Sequence, residues 1–319
     1  MNVLGHTAAP VVLDMDSIQA AVTLPAAVHA VEDAFRAVGR GQVTQPPPMG
    51  LHLPAGEVHV KSAQLGPGRP VVVKVASGFP GNASQGLPSG DGLMVTVDER
   101  TGRVTAVLLD GGWLTDVRTA AATAVAVRHL ARAPVRRLAL LGTGVQAALT
   151  LRTLDAVGLL PADIALWGRS ASSVQRLVGQ SSLRHLWLTI AGSARDAVRE
   201  ADLVITVTAA REPVLHGDWL DDAALVVAVG ADSPGKRECD RDVLRRAERI
   251  IVDDLGQATS LGELQHATPL ASPTDLLELG TLIGDHTAHP AGIRLCDLTG
   301  IGAHDAAIAA LALSGVHSP

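Results

Sequence analysis

The 319-residue chain contains no tyrosine, only two phenylalanines and four tryptophans. Without tyrosine, phenolic acid–base chemistry is excluded outright. Cysteine occurs twice, as Cys239 and Cys296, with no metal-type spacing, so both are expected to be small core residues. So few cysteines fit a reducing cytoplasm, where the chain is expected to reside. Basic blocks are absent and the net charge is −6, which argues against nucleic acid as a partner. No basic segment followed by an apolar run opens the chain, and Asp14 and Asp16 interrupt the first apolar stretch. Neither a signal peptide nor a membrane span is expected. Internal repeats and low-complexity linkers are also missing. Of the twelve histidines, His286 and His289 form the closest metal-like pair, with no cysteine nearby and no helix to align them. No metal is expected.

What the chain has is 47% hydrophobic against 18% charged residues, enough for a large globular core over two domains. Its organising stretch is residues 136–149. An apolar strand, residues 138–141, runs into Gly142-Thr143-Gly144 and then into a helix. A helix opening on G-x-G leaves unpaired N–H groups and a positive dipole end that suit a pyrophosphate. Gly142 permits the turn, Gly144 the close approach of phosphate, and the small Ala147 close helix–strand packing. Buried-type strands follow at 163–167, 186–190, 202–207, 225–229 and 249–252, with a helix at 193–201 opened by the capping pair Ser193 and Asp196. That alternation predicts a doubly wound parallel sheet, a Rossmann dinucleotide-binding domain over residues 133–299.

The front half reads differently. Residues 17–39 are expected to form one amphipathic helix, stopped by the proline run before Met49. Strands are expected at 57–65, 70–76 and 93–97, the last forming a hairpin with 103–109 through the turn at 98–102. Residues 114–130 form an Ala-rich helix, with Thr115 as its expected N-cap and Arg118 in its first turn. A cation at that end opposes the dipole and implies an anion nearby. The composition shift at 131–135 sets the boundary. Residues 1–132 are then an α+β substrate-binding and dimerisation domain, to which an Ala-rich helix within 300–319 returns. The fold class is α/β.

Four side chains stand out chemically. Lys74 is a single cation in an apolar strand, costly to bury unless it is paired or its pKa is lowered. Lys61 lies on the preceding strand, on the same face as His59 and Ala63. Arg118 awaits an anion. Asp232 follows a parallel strand directly, at the edge where ligands bind, as a candidate proton acceptor or donor. At the end of the second Rossmann strand, Trp167-Gly168-Arg169-Ser170 carries no acid for the ribose. Arg169 can meet a 2′-phosphate, which favours NADP(H) over NAD(H).

Taken together, Lys74-Val-Ala-Ser-Gly-Phe-Pro-Gly-Asn82, Leu114-Thr-Asp-Val-Arg-Thr-Ala-Ala121, Gly142-Thr-Gly-Val-Gln-Ala147, Ala228-Val-Gly-Ala-Asp-Ser-Pro-Gly-Lys236 and Thr299-Gly-Ile-Gly302 resemble the ornithine cyclodeaminase/mu-crystallin family over nearly the whole chain. The resemblance implies a homodimer, joined through the non-Rossmann domain, that uses NAD(P) at a carbon bearing both nitrogen and a carboxylate. It implies that Lys74 polarises the substrate, Arg118 binds its carboxylate and Asp232 handles the proton at nitrogen. Cofactor contacts are implied at Thr115, Gly142, Gly144, Val145, Gln146, Arg169, Ser170, Thr206, Val207, Val229, Asp232, Thr299 and Gly300. Two departures matter. Pro48 stands where many members have an arginine. Lys61 stands about where cyclodeaminases carry a glutamate for the substrate's distal amine, and there it favours a carboxylate as a second clamp. The expected activity is therefore reduction of an imino acid or ketimine, including cyclic imines, or a related amino acid dehydrogenation. A redox-neutral cyclodeaminase that releases ammonia is the alternative. A non-catalytic ligand-binding protein of the crystallin kind is a third reading.

Overall fold

The structure is a computed structural model that describes residues 9–132, 134–267, 275–285 and 291–316. The pair His286 and His289 lies outside the described residues.

Strand β1 (Val11–Leu13) leads into two helices, α1 (Met15–Ala21) and α2 (Leu24–Gly39). The single helix expected over 17–39 is thus broken. Val22 is extended and the Thr23 side chain accepts from the Ala26 N–H, capping a new helix with proline in its first turn. Four antiparallel strands follow, β2 (Met49–Leu53), β3 (Gly56–Gln64), β4 (Val71–Gly78) and β5 (Gly90–Val97), then β6 (Val104–Leu108). The β5–β6 hairpin turns where expected, with the Asp98 carboxylate accepting from the Arg100 and Thr101 N–H groups and Gly102 left-handed at φ +69°. β1 adds in parallel beside β6, giving the order β1-β6-β5-β4-β3-β2.

Helix α3 (Trp113–Leu130) joins this sheet to a second one. There follow β7 (Arg137–Leu141), α4 (Val145–Ala156), β8 (Asp163–Trp167), α5 (Ala171–Val178), β9 (Leu188–Ile190), α6 (Ala194–Val198), β10 (Leu203–Thr206), β11 (Leu225–Ala228), α7 (Arg241–Arg246), β12 (Ala247–Val252), α8 (Leu255–Leu261), β13 (Asp275–Glu278), α9 (Leu279–Asp285), β14 (Ile293–Asp297) and α10 (Gly302–Val316). The eight strands of this sheet are all parallel, in the order β13-β12-β14-β11-β10-β7-β8-β9. From β7 the chain winds outward to β9, then crosses to β10 on the other side of β7. That reversal is the switch point of a Rossmann-like sheet, whose crevice lies at the carboxyl ends of the strands.

One apolar core runs through both sheets, with Met94 and Leu108 of the first joined to Leu138 and Ile205 of the second. Small residues of α3 such as Ala121 and Ala124 let it pack closely between α2 and α4. Helix α10 leaves β14 and packs on α2, β3 and β4, covering the inner face of the first sheet. Its first turn therefore meets the lysines of β3 and β4.

Candidate active site

In the antiparallel β3–β4 ladder Lys61 is the direct partner of Lys74, and Met94 partners Lys74 on β5. Strand alternation puts all three on the inner face, where they are buried. Two like charges in register repel, so the arrangement needs anions. One comes from α10. Asp305 lies 3.0 Å from the Lys74 Nζ and 3.0 Å from the Arg118 Nε. Lys61 donates instead to the backbone carbonyls of Thr299 (3.1 Å) and Gly300. Gly300 has φ +75°, and a Cβ there would collide with the Arg118 guanidinium. Only glycine lets that chain segment and the arginine share the space.

Arg118 corrects two expectations. Helix α3 begins at Trp113, with Gly112 left-handed at its N-cap and the Asp110 carboxylate accepting from the Leu114 N–H (2.8 Å). Thr115 is therefore inside the helix and does not cap it. Arg118 falls in the second turn, buried, with Asp305 as its anion.

Burial drives the Lys74 ammonium toward its neutral form. Asp305 resists and the Arg118 and Lys61 charges add to the fall, leaving a pKa of about 7. Lys61 is lowered by burial and by Arg118. Burial would raise the Asp305 carboxyl, but Lys74 and Arg118 outweigh it and keep it ionised. His304, beside Asp305 on α10, is buried against Phe35 at a ring distance of 4.3 Å with no hydrogen-bond partner on either nitrogen. Burial and Arg118 push it down to about 3, so it is neutral.

Asp232 is not hydrogen-bonded to this cluster. It pairs with Lys236 at 2.6 Å and accepts from the Ser233 hydroxyl, while Lys236 also pairs with Glu57 of β3 at 3.0 Å. Burial would raise the Asp232 pKa, but Lys236 outweighs it and holds the carboxyl below its ordinary value. The Asp232–Lys236–Glu57 chain bridges the two sheets beside the lysines.

The expected dinucleotide turn has the features an anion needs. Gly142 is at φ +134°, and a Cβ there would press on the Val207 carbonyl, whereas the space around Gly144 is open. No side chain caps α4, although side chains cap α1, α2, α5, α6, α7 and α8. Its first N–H groups are thus left for a ligand. Val145 stays 60% exposed there, Ala147 is buried as expected, and Gln146 Nε2 donates to Asp116 of α3 (2.8 Å). Arg169 is exposed, and Ser170 caps α5. Val207 and Val229 are buried beyond the ends of β10 and β11. The hydroxyls of Thr206 and Thr299 are committed internally, to Glu238 and Asp253.

The sequence does not mark Asp305, Lys236 or Glu57 as site residues. Asp305 carried one usable signal, being the only charged residue within 302–316. Among the described residues no group of three or more histidine, cysteine or acidic side chains could hold a metal ion. No helix among them is long and apolar enough to cross a membrane.

A family profile described as ornithine cyclodeaminase/mu-crystallin matches residues 8–316. The chain belongs to that family. It is 40% identical over 296 residues to an uncharacterized cyclodeaminase of Sinorhizobium fredii, covering 90% of this chain and 89% of the relative. An archaeal alanine dehydrogenase dimer with bound NAD superimposes with a TM-score of 0.88 at 27% identity, over 96% of both chains. The iminosuccinate reductase of Paracoccus denitrificans, in complex with NAD+, gives 0.86 at 26% identity, also over 96% of both. Relatives of this chain therefore include NAD-binding oxidoreductases of amino and imino acids as well as cyclodeaminases.

Proposed function

We propose that this chain is an NAD(P)H-dependent reductase of a C=N bond next to a carboxylate. The observation that carries the reading is the pairing of Lys74 and Arg118 with Asp305, with Lys61 in register beside Lys74 and donating to the Thr299 and Gly300 carbonyls. Asp305 is shared between Lys74 and Arg118, so a substrate anion can supply further negative charge there, and burial strengthens its attraction. The uncapped α4 N-terminus and the Gly142–Gly144 turn would hold the dinucleotide, whose chemistry there would be hydride donation to the imine carbon.

Arg118 takes the α-carboxylate, for which its planar fork is suited. Lys74, at a pKa of about 7, is balanced between holding and releasing a proton. It donates that proton to the imine nitrogen, so one hydride and one proton turn the imino acid into the amino acid. Asp232, kept ionised by Lys236, serves as an acceptor near the nitrogen. Lysine has three N–H donors, and two of those on Lys61 go to the Thr299 and Gly300 carbonyls. The third is left for the substrate's second carboxylate or oxo group. Lys61 and Pro48 line the same pocket of about 290 Å³, so Lys61 supplies a cation beside the proline that replaces a family arginine.

Arg169 is exposed where a 2′-phosphate would fall, which favours NADP(H). A homodimer fits the outer face of the first sheet, where Met49, Val60, Val75 and Leu93 form one cross-strand row and Val73, Val95, Val107 and Val12 a second. Residues 1–132 and the returning helix then form the substrate and dimer domain, and residues 133–299 the dinucleotide domain.

The Sinorhizobium relative favours a second reading, cyclodeamination. The assay separates the two by following NADPH and NADH absorbance with pyruvate plus amines and with pyrroline- and piperideine-2-carboxylate. In parallel, ornithine and lysine are scored for ammonia. Cofactor consumed in step with imine supports the reductase. Ammonia released without net cofactor change overturns it, and activity on neither set leaves the ligand-binding reading in place.

A further inference from the structure

Glu238 is fully buried and plays no part in the chemistry above. Its Oε2 accepts from the Thr206 hydroxyl (2.7 Å) and the Gly230 N–H (2.7 Å). Its Oε1 accepts from the Thr208 N–H (2.6 Å) and the Thr208 hydroxyl (2.7 Å). One carboxylate thus binds Thr206 at the end of β10, Thr208 two residues past it and Gly230 two residues past the end of β11. Those segments touch, since a Cβ at Gly230 would overlap the Thr208 carbonyl. The backbone of Glu238 is pinned as well. Its N–H donates to Glu263 Oε1 (2.8 Å), and its carbonyl accepts from the Val214 and Leu215 N–H groups. Burial pushes the Glu238 carboxyl up, and the four donors work against that.

The sheet order says what this brace serves. The strands on either side of β7 are β8 and β10, with β11 beyond, so a dinucleotide with its pyrophosphate at the α4 N-terminus would have its adenosine half on the β8 side and its nicotinamide half on the β10 and β11 side. We propose that Glu238 is a positioning residue that fixes the Thr206–Thr208 and Gly230 segments into one rigid rim under the nicotinamide end of the dinucleotide. That rim leads two residues on to Asp232, so it also sets where that carboxylate stands. The proposal rests on the dinucleotide reading and concerns one half of that ligand.

The test uses the full chain and three probes, NADH, NADPH and ADP-ribose, the last lacking nicotinamide. Glu238→Gln keeps the shape but turns an amide donor toward donors. The reduced dinucleotide that wild type binds better should bind about tenfold more weakly, the scale of one unsatisfied buried donor. ADP-ribose affinity should stay within about twofold. Equal weakening of both probes, or no change in either, overturns the proposal. Thr206→Val removes one donor with little change of shape and should shift the dinucleotide alone by about threefold. It decides the matter if Glu238→Gln does not fold. Should wild type bind neither NADH nor NADPH, the dinucleotide reading itself has failed.

Discussion

Lys61 and Lys74 face each other directly across the β3–β4 ladder, both turned into the buried side of the sheet. The Lys61 charge lowers the affinity of Lys74 for a proton. Lys61→Met keeps the stem volume and removes one charge, so the Lys74 pKa rises from about 7. In the reductive direction the protonated form of Lys74 is the active one, and the alkaline fall in rate should move to higher pH. Loss of a charge-assisted contact should also raise KM for small oxo or imino acids about 10- to 100-fold. Steady-state pH profiles of the two proteins check both effects. An unmoved limb with an unchanged KM would remove Lys61 from the site.

The same buried lysine should be visible in stability. An unfolded lysine titrates near pH 10.4, whereas folded Lys74 titrates at about 7. Between those values the unfolded chain holds more protons, so the Lys74 contribution makes stability rise with pH. Below about pH 7 both states are protonated and the burial penalty applies in full. Lys74→Met abolishes that term. Its Tm relative to wild type should be highest below pH 7 and should decline steadily towards pH 10. Thermal melts across this window measure the difference directly, and a flat difference would mean that Lys74 is not proton-poor in the fold.

Arg169 tests the cofactor preference. It is exposed past the end of β8, and no acid accompanies it in 167–170. Arg169→Ala should weaken NADPH about 10-fold or more, the scale of a lost charged hydrogen bond, and NADH by less than about twofold. Fluorescence titration of each nucleotide reads the ratio. Equal losses would place Arg169 away from the 2′-position.

Much of this architecture is visible in the sequence because its signals are local. Apolar runs such as Leu203–Thr206 and Leu225–Ala228, fully buried in a parallel sheet, read as strands because they alternate with helical segments, and that alternation gives the Gly142–Gly144 turn its meaning. Lys74 stands out as a charge among valines, and Arg118 as a cation early in a helix. Other features escape for physical reasons. Strand β1 has three residues, two of them exposed, and β2 is exposed throughout, so neither shows a buried periodicity. The break between α1 and α2 is hidden because Val22 and Leu24 continue the apolar pattern across it. Asp305 sits in a first turn, where an acid ordinarily needs only the helix dipole for company. The pairing of Glu57 with Lys236 spans 179 positions, a distance over which side-chain chemistry leaves no local trace.

The outer face of the first sheet supplies the last prediction. Met49 is 54% exposed, Val12 61% and Val75 36%, and the rows they belong to are otherwise valine and leucine except for Ser62. A contiguous apolar face of this size is rare on a monomer. The inner face cannot relieve it, because α10 already covers the lysine side. A second copy placed face to face buries both surfaces at once and, by two-fold symmetry, closes the assembly at two chains. Met49→Glu combined with Val75→Glu puts two like charges per subunit into that contact, four in the dimer. Light scattering should then report half the wild-type mass, with the far-ultraviolet spectrum retained. The desolvation cost of unpaired buried carboxylates makes the dimer at least about 100-fold weaker. If the double variant keeps the wild-type mass, the subunits meet elsewhere. If wild type is itself monomeric, this face does not drive self-association.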